Sequence, residues 1–266
     1  GIRGAAIATV LSQCLSAGFV LYFLSKKAEY KVRLLYKQEI RTCGKDAKNI
    51  VSLGTAGFVM QLTNSLVSIC CNNVLSATGG DVYVSVMTII SSVRQMIETP
   101  IWSISEGSSP VISYNYGAKR PKKVIEAWIT MSVLALIYSL IAWSVILFAP
   151  KFLIGIFSSD KSLMIDTVPA MKLYFSAFIF MLFQYTGQTM FKSLNKKKQA
   201  IFFSILRKVI IVVPMTYMFP YVFHMGSNGV FMAEPVSNVI GGSLCFIVML
   251  LTVLPELKQM NSDLSS

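Results

Sequence analysis

The sequence predicts an all-α polytopic membrane protein with about seven transmembrane helices, and three observations carry that prediction. Of its 266 residues 54% are hydrophobic and only 14% charged, against about 25% charged in an ordinary soluble domain. The apolar residues gather in runs long enough to cross a bilayer core of about 30 Å, which takes about 20 residues in a helix. Between those runs, cation-rich loops alternate with cation-poor ones.

Taken in order, the spans are approximately 4–25, 50–75, 82–116, 123–149, 163–192, 198–222 and 227–254. The segment after the first holds Lys26, Lys27, Lys31, Arg33, Lys37, Arg41, Lys45 and Lys48. The loop around Ala77–Asp81 has no cation. The next carries Lys119, Arg120, Lys122 and Lys123, and the one after it only Lys151 and Lys161. Lys192 and Lys196–Lys198 form a third basic cluster, while Tyr221–Asn228 has one His and no Lys or Arg. Basic loops face the cytoplasm by the positive-inside rule. Residue 1 is therefore expected outside and the C-terminus, with Lys258, in the cytoplasm of a multi-pass plasma or inner membrane protein.

A net charge of +12 invites a nucleic-acid partner, but the cations alternate with position along the chain and form no single face or stripe, so none is expected. Cys14, Cys43, Cys70, Cys71 and Cys245 follow no paired spacing and read as free thiols. The segment 26–49 mixes its cations with Glu29, Glu39 and Asp46. It reads either as an amphipathic connector lying on anionic lipid or as a solvated linker helix.

An internal repeat organises the chain. Gly1, Gly4, Ala8, Ser12 and Gln13 recur as Gly226, Gly229, Ala233, Ser237 and Asn238, at an offset of 225 residues. Both copies open a span on the same side, as parallel repeats in transporters do. One repeat then comprises six helices. Residues 1–25 read as the last helix of a preceding N-terminal lobe, which implies sequence upstream. Residues 26–49 form the inter-lobe connector, 50–254 a complete six-helix C-terminal lobe, and 255–266 a cytoplasmic tail.

The string Gly107-Ser-Ser-Pro110-Val-Ile-Ser-Tyr-Asn-Tyr-Gly117-Ala-Lys-Arg120 leads out of the third span into a basic turn. Gly107, Pro110 and Gly117 suit a helix end that bends, with Pro235 as a further hinge in the last span. This string resembles a motif of the multidrug and toxin extrusion (MATE) transporters, most closely their bacterial multidrug-export branch. Gly1–Thr9, Pro214 and Gly226–Pro235 fit the same resemblance, which covers helices six to twelve of that family. The resemblance implies two six-helix lobes forming a V, a monomer when full length, and export of organic cations or drugs against sodium or protons. No cofactor is implied beyond the coupling ion, and no metal.

Ionisable groups inside spans are expensive and are functional candidates by default. Arg94 and Glu98 lie one turn apart on one helix face, either lining a substrate or cation site or neutralising each other as a latch. Glu106 follows near that face. Glu234 precedes Pro235, whose missing N–H frees carbonyls. It is either a proton or cation acceptor or the partner of Arg207 or Lys208, and Lys208 is expected to snorkel toward the cytoplasm. The resemblance places Gln61 and Gln184 where sodium-coupled members carry Glu and Asp, so coupling is expected in the N-terminal lobe or at Glu98 and Glu234. Gln61, Asn64, Gln184 and Gln188 are candidate cavity walls, and Met60, Met181, Tyr185, Met190, Met215 and Tyr217 a candidate adaptable pocket.

Secondary drug export leads this reading, and the alternative is a lipid or lipid-linked oligosaccharide flippase of the same superfamily. That cavity would need a strong positive charge for pyrophosphate; Glu98, Glu106 and Glu234 argue for cationic cargo instead. No H-E-x-x-H, nucleophile elbow or Walker loop is present, which argues against an enzyme. The topology has a direct check. A single cysteine introduced as Lys122→Cys is labelled by an impermeant maleimide only from the cytoplasmic side; labelling from outside refutes the orientation.

Overall fold

The computed structural model describes residues 2–27, 44–158 and 160–263, and every described element is helical. The chain divides into two compact units, Gly1–Gly54 and Thr55–Ser266. In the first, α1 (Ile2–Tyr22) runs into a π-helical turn, Phe23–Lys27. Its apolar residues point outward on all sides, with Ile7, Leu15 and Phe19 all exposed. A helix apolar all round is a membrane span or a buried one. The predicted connector falls largely on residues outside the described ones, as does Cys43.

The second unit begins within α2 (Gly44–Gly117), which is broken at Gly80. Gly80 has φ 70° and ψ −169°, a region essentially reserved for glycine. Cys71 and Met87, Ser68 and Ser91, and Asn64 and Arg94 line one cavity. Each pair lies nearly symmetrically about Gly79–Gly80, as the two arms of a hairpin require. The arms are the predicted spans 50–75 and 82–116.

The second arm stays helical through Gly107 and Pro110 to Gly117. A proline in a membrane helix is tolerated where neighbouring groups re-satisfy the freed backbone. The chain turns only at Ala118–Arg120, where Lys119 has φ 54°. Helix α3 (Pro121–Phe148) opens on a proline, a residue suited to the first turn because its absent N–H is not missed.

The expected loop after α3 instead contains a short helix, α4 (Pro150–Phe157). Asp160 caps α5 (Lys161–Tyr174), accepting from the Ser162 N–H at 2.9 Å and the Ser162 hydroxyl at 2.7 Å. Those hydrogen bonds, the side-chain one foremost, hold the Asp160 carboxyl below its ordinary value.

The predicted span 163–192 is not one helix. It is interrupted at residues 175–179, after which α6 (Phe180–Ser193) continues. Tyr174, Phe175 and Phe178 are buried there in edge-to-face contact, with centroids 5.1 and 5.7 Å apart. Trp143 Nε1–H of α3 donates to the Phe175 carbonyl at 3.0 Å. Burying three aromatic rings, with the Phe175 carbonyl accepting from Trp143 as well as from the Phe178 N–H, stabilises the interruption.

The last two spans are each distorted in the middle. Helix α7 (Lys197–Ile205) passes through a π-helical segment, Leu206–Val212, into α8 (Val213–Tyr221). Helix α9 (Ser227–Ser237) passes through a second, Asn238–Gly242, into α10 (Ser243–Asp263). Pro214 and Pro235 remove one backbone donor each beside these segments, where the ladder must readjust. Small residues let the elements approach closely. A methyl on Gly229 would lie 2.8 Å from the Phe219 and Pro220 backbone, and one on Gly242 would lie 2.5 Å from the Phe180 carbonyl oxygen.

Side-chain contacts fix the two ends. Thr78 and Ser227 meet at 3.4 Å beside the Gly80 turn. At the other end Ser109 and Ser113 bond Ser193, Tyr116 donates to Glu256 at 2.6 Å, and Lys196 pairs with Glu256 at 2.5 Å. One apolar cluster, from Val67 to Phe231, fills the half near Gly80, and a second, from Ile112 to Leu257, fills the half near the basic turns. Among the described residues five helical stretches are long and apolar enough to cross a membrane: 6–27, 61–117, 121–148, 197–221 and 227–262. The first long stretch after α1 takes in the second arm of α2 and much of the first.

Gly80→Ala forces an alanine into a glycine-only conformation and is expected to cost about 1–3 kcal/mol. Gly155→Ala, which meets open space inside α4, serves as the control. In detergent melts the first variant loses stability and the second does not.

Candidate functional site

One carboxylate joins three segments of the second unit. Glu234, on α9 and almost wholly buried, accepts from Arg94 Nη2 of α2 at 3.0 Å. It also accepts from Lys208 Nζ at 3.1 and 3.4 Å, one contact to each oxygen, and from Arg207 Nη1 at 3.4 Å. Arg207 and Lys208 both lie in the π-helical segment after α7 and are buried. Arg207 Nη1 bonds the Asn238 carbonyl oxygen as well, and Ser237 Oγ–H donates to the Arg207 carbonyl at 3.3 Å. The two distorted segments are thus joined across the site.

Arg94 carries the network outward. Its Nε donates to Glu98, one turn along the same helix, and its Nη1 donates to the Tyr174 hydroxyl at 2.7 Å. Tyr185 of α6 donates to the other Glu98 oxygen at 3.2 Å. Arg94 and Glu98 are partly exposed, whereas Arg207, Lys208 and Glu234 are not.

The network borders two connected spaces. A cavity of about 240 Å³ is lined by Arg94, Glu98, Tyr174, Lys208 and Glu234 and by Asn64, Ser68 and Ser91 of the α2 arms. A more open cleft of about 340 Å³ shares Ser91, Arg94 and Glu98 with it and adds Gln61, Gln95, Thr99, Trp102 and Tyr185. The arrangement presents a guanidinium and a lysine amine with their carboxylate partners at the floor of a mixed polar and aromatic recess. It contains no nucleophile–base pair; among the described residues no three His, Cys, Asp or Glu side chains gather to hold a metal ion.

The residues singled out from the sequence are distributed unevenly over this site. Arg94, Glu98 and Glu234 meet in it. Gln61 and Asn64 border the open recess and are exposed. Gln184 is buried in α6 with its Oε1 unpartnered, and Gln188 Nε2 reaches the Ala200 carbonyl at 3.5 Å. Neither glutamine lines the cavity or the cleft. Gln61 and Gln184 therefore do not face a common space there.

Glu106 lies outside the site and pairs with Lys192 at 2.9 Å. Lys208 does not snorkel; it is buried against Glu234, since a nearby carboxylate offers more than a distant water layer. Of the candidate pocket residues Tyr185 reaches the cleft, while Met181 and Met190 are core, Met215 is half-buried and Tyr217 exposed. The Met60 side chain lies outside the described residues. Sequence reasoning missed Tyr174 and Asn238 as partners; Asn238 follows Glu234 by one turn, a spacing that puts both on one face.

The family model described as MatE matches residues 57–218. A curated relative, "Probable multidrug resistance protein NorM" of Thermotoga maritima, is 25% identical over 163 residues, which are 61% of this chain and 34% of that protein. Two solved structures share the fold. One, described as an outward-facing multidrug resistance MATE family transporter of the MOP superfamily, has a TM-score of 0.81 at 21% identity. It is matched over 98% of this chain and 57% of its own. The other, from Pyrococcus furiosus, has a TM-score of 0.83 at 21% identity with the same coverages. Its description reports a reversed binding-pocket polarity that suggests a different function. The chain thus spans a little over half of those structures and about a third of the curated relative.

Removing one partner from a buried ion pair strands the others, at a cost of about 3–5 kcal/mol. Glu234→Gln is therefore expected to lower the thermal midpoint sharply. Glu106→Gln, which breaks a pair more than one-third exposed, costs at most about 1 kcal/mol. Equal effects from the two would contradict the site as described.

Proposed function

Because the chain belongs to the MatE family, we propose that it forms the C-terminal lobe of a secondary active exporter of amphipathic organic compounds. The observation that carries this reading is the charged network at the floor of a recess inside a helical bundle. Ion pairs buried among membrane helices are costly and mark substrate or ion pathways. Trp102, Tyr185 and the apolar walls suit flat hydrophobic cargo, and Arg94, Glu98 and Glu234 supply polar recognition. A second, N-terminal lobe would complete the pathway. Alternating access would rock the lobes against each other, with the basic turns at the cytoplasmic face of the cell membrane. The relative named as a multidrug resistance protein supports drugs as the cargo class.

The coupling ion is proposed to be a proton or sodium. Glu98 and Glu234 are the carboxylates placed to exchange a proton, and both are bonded by cations of the chain itself. Cationic cargo would have to displace one of these internal partners or meet its carboxylate on the other lobe. Three cations against two carboxylates in the network favour a second reading, a carrier of lipid-linked or other anionic cargo.

The test is ethidium efflux by the full-length protein in vesicles under imposed proton or sodium gradients. Export driven by one gradient is expected, lost in Glu98→Gln or Glu234→Gln while the protein still reaches the membrane. Unchanged efflux in both variants removes these residues from the mechanism, and gradient-independent movement of a labelled anionic lipid instead favours the second reading.

A further inference from the structure

The network holds an excess cation that its own carboxylates do not match. Arg94, Arg207 and Lys208 face Glu98 and Glu234, and three of the four contacts on Glu234 fall near one oxygen, Oε1. Glu98 is already engaged by Arg94 Nε and Tyr185. Arg207 and Lys208 are left to share one carboxylate with Arg94. The other titratable groups around Lys208 are Cys71 on the first arm of α2 and Tyr174 at the end of α5, both neutral in their ordinary forms. No further carboxylate approaches the network among the described residues.

A net positive charge in a low-dielectric interior is unfavourable, and it is relieved either by a counter-anion or by loss of a proton. The three cations are not equivalent in these respects. Arg94 and Arg207 cannot give up their protons, whereas a buried lysine can. Lys208 is also the one that lines the cavity with the shared Glu234 carboxylate as its acceptor, whereas Arg207 has Asn238 as well. Beside Lys208, and bonded to the same Glu234 oxygen, Arg94 offers a planar guanidinium of the kind that suits carboxylates. The space of about 240 Å³ holds a small aromatic acid, and Met87, Val67, Val212 and Val230 provide apolar walls for its ring.

We propose that this cavity binds a carboxylate group, held between the Lys208 ammonium and the Arg94 guanidinium, and that one proton binds to Lys208 Nζ together with it. When the cavity lacks an anion, Lys208 is neutral and the two arginines balance Glu98 and Glu234. When the carboxylate enters, a proton from water adds to the Lys208 amine, and the ammonium–carboxylate pair is neutral overall. No bond other than N–H forms, and no other group changes its charge. The exporter reading matters here only for what the carboxylate belongs to, an amphoteric or acidic cargo; binding itself needs no transport.

The experiment uses benzoate as the probe with purified protein in nanodiscs. Calorimetry in buffers of different ionisation enthalpy gives both affinity and protons exchanged. Wild type is expected to take up about one proton per benzoate, with affinity falling about tenfold for each pH unit raised through the range where free Lys208 is neutral. Lys208→Arg, charged at every pH, keeps binding but takes up no proton and loses the pH dependence. Lys208→Met weakens binding at least tenfold. Absence of benzoate binding by folded wild type, or the same proton uptake in Lys208→Arg, overturns the proposal. Equal proton uptake with chloride overturns the carboxylate assignment. Lost ethidium efflux with intact benzoate binding would instead count against the exporter reading alone.

Discussion

The grip of Glu234 on Arg94, Lys208 and Arg207 is the interaction on which the second unit depends. It ties the second arm of α2, the distorted segment of the sixth span and the distorted last span to a single carboxylate. Helices immersed in lipid gain little from hydrophobic association, so packing, hydrogen bonds and such polar contacts decide their arrangement. The two π-helical segments make sense in this light. Each falls where an ionisable or amide side chain of the network, Arg207 with Lys208 or Asn238, has to turn inward. The prolines and glycines beside them supply the backbone freedom and the close approach that this requires.

Around that grip the recess is graded. Its inner cavity is charged, bounded by Arg94, Glu98, Tyr174, Lys208 and Glu234, and its more open cleft carries amides, hydroxyls and an exposed Trp102. A ligand moving down the recess would exchange weak, adaptable contacts for strong, specific ones. The partly exposed Arg94–Glu98 pair stands at the boundary between them. Any cargo or ion that competes for Glu234 or Glu98 must also loosen contacts that hold helices together. That links occupancy of the recess to the packing of the lobe.

Much of this was legible in the sequence, for physical reasons. Apolar runs and the alternation of basic loops define the spans because water and lipid separate residues along the chain. Arg94, Glu98 and Glu234 stand out because charge inside such a run needs a partner. The intermediate architecture was less visible. Hydropathy averages over the interruption at residues 175–179, because Phe175 and Phe178 are as apolar as a helix would be. Periodicity likewise does not mark the π-helical segments. For Lys208 the sequence leaves both Glu234 and the membrane surface open, because it does not reveal which helix stands opposite it. Gly107 and Pro110 look like helix breakers locally, yet the helix continues, and the break that matters lies at Gly80.

The central claim is that Arg94 and Glu234 act as one unit across two helices. A double-mutant cycle of Arg94→Gln and Glu234→Gln, read by equilibrium unfolding in detergent, measures it directly. Stranding either partner is costly while removing both leaves the network's net charge as it was, so the double variant should be more stable than the sum of the single effects by about 1–3 kcal/mol. Additivity within about 0.5 kcal/mol would show that the two residues do not depend on each other and would contradict the account.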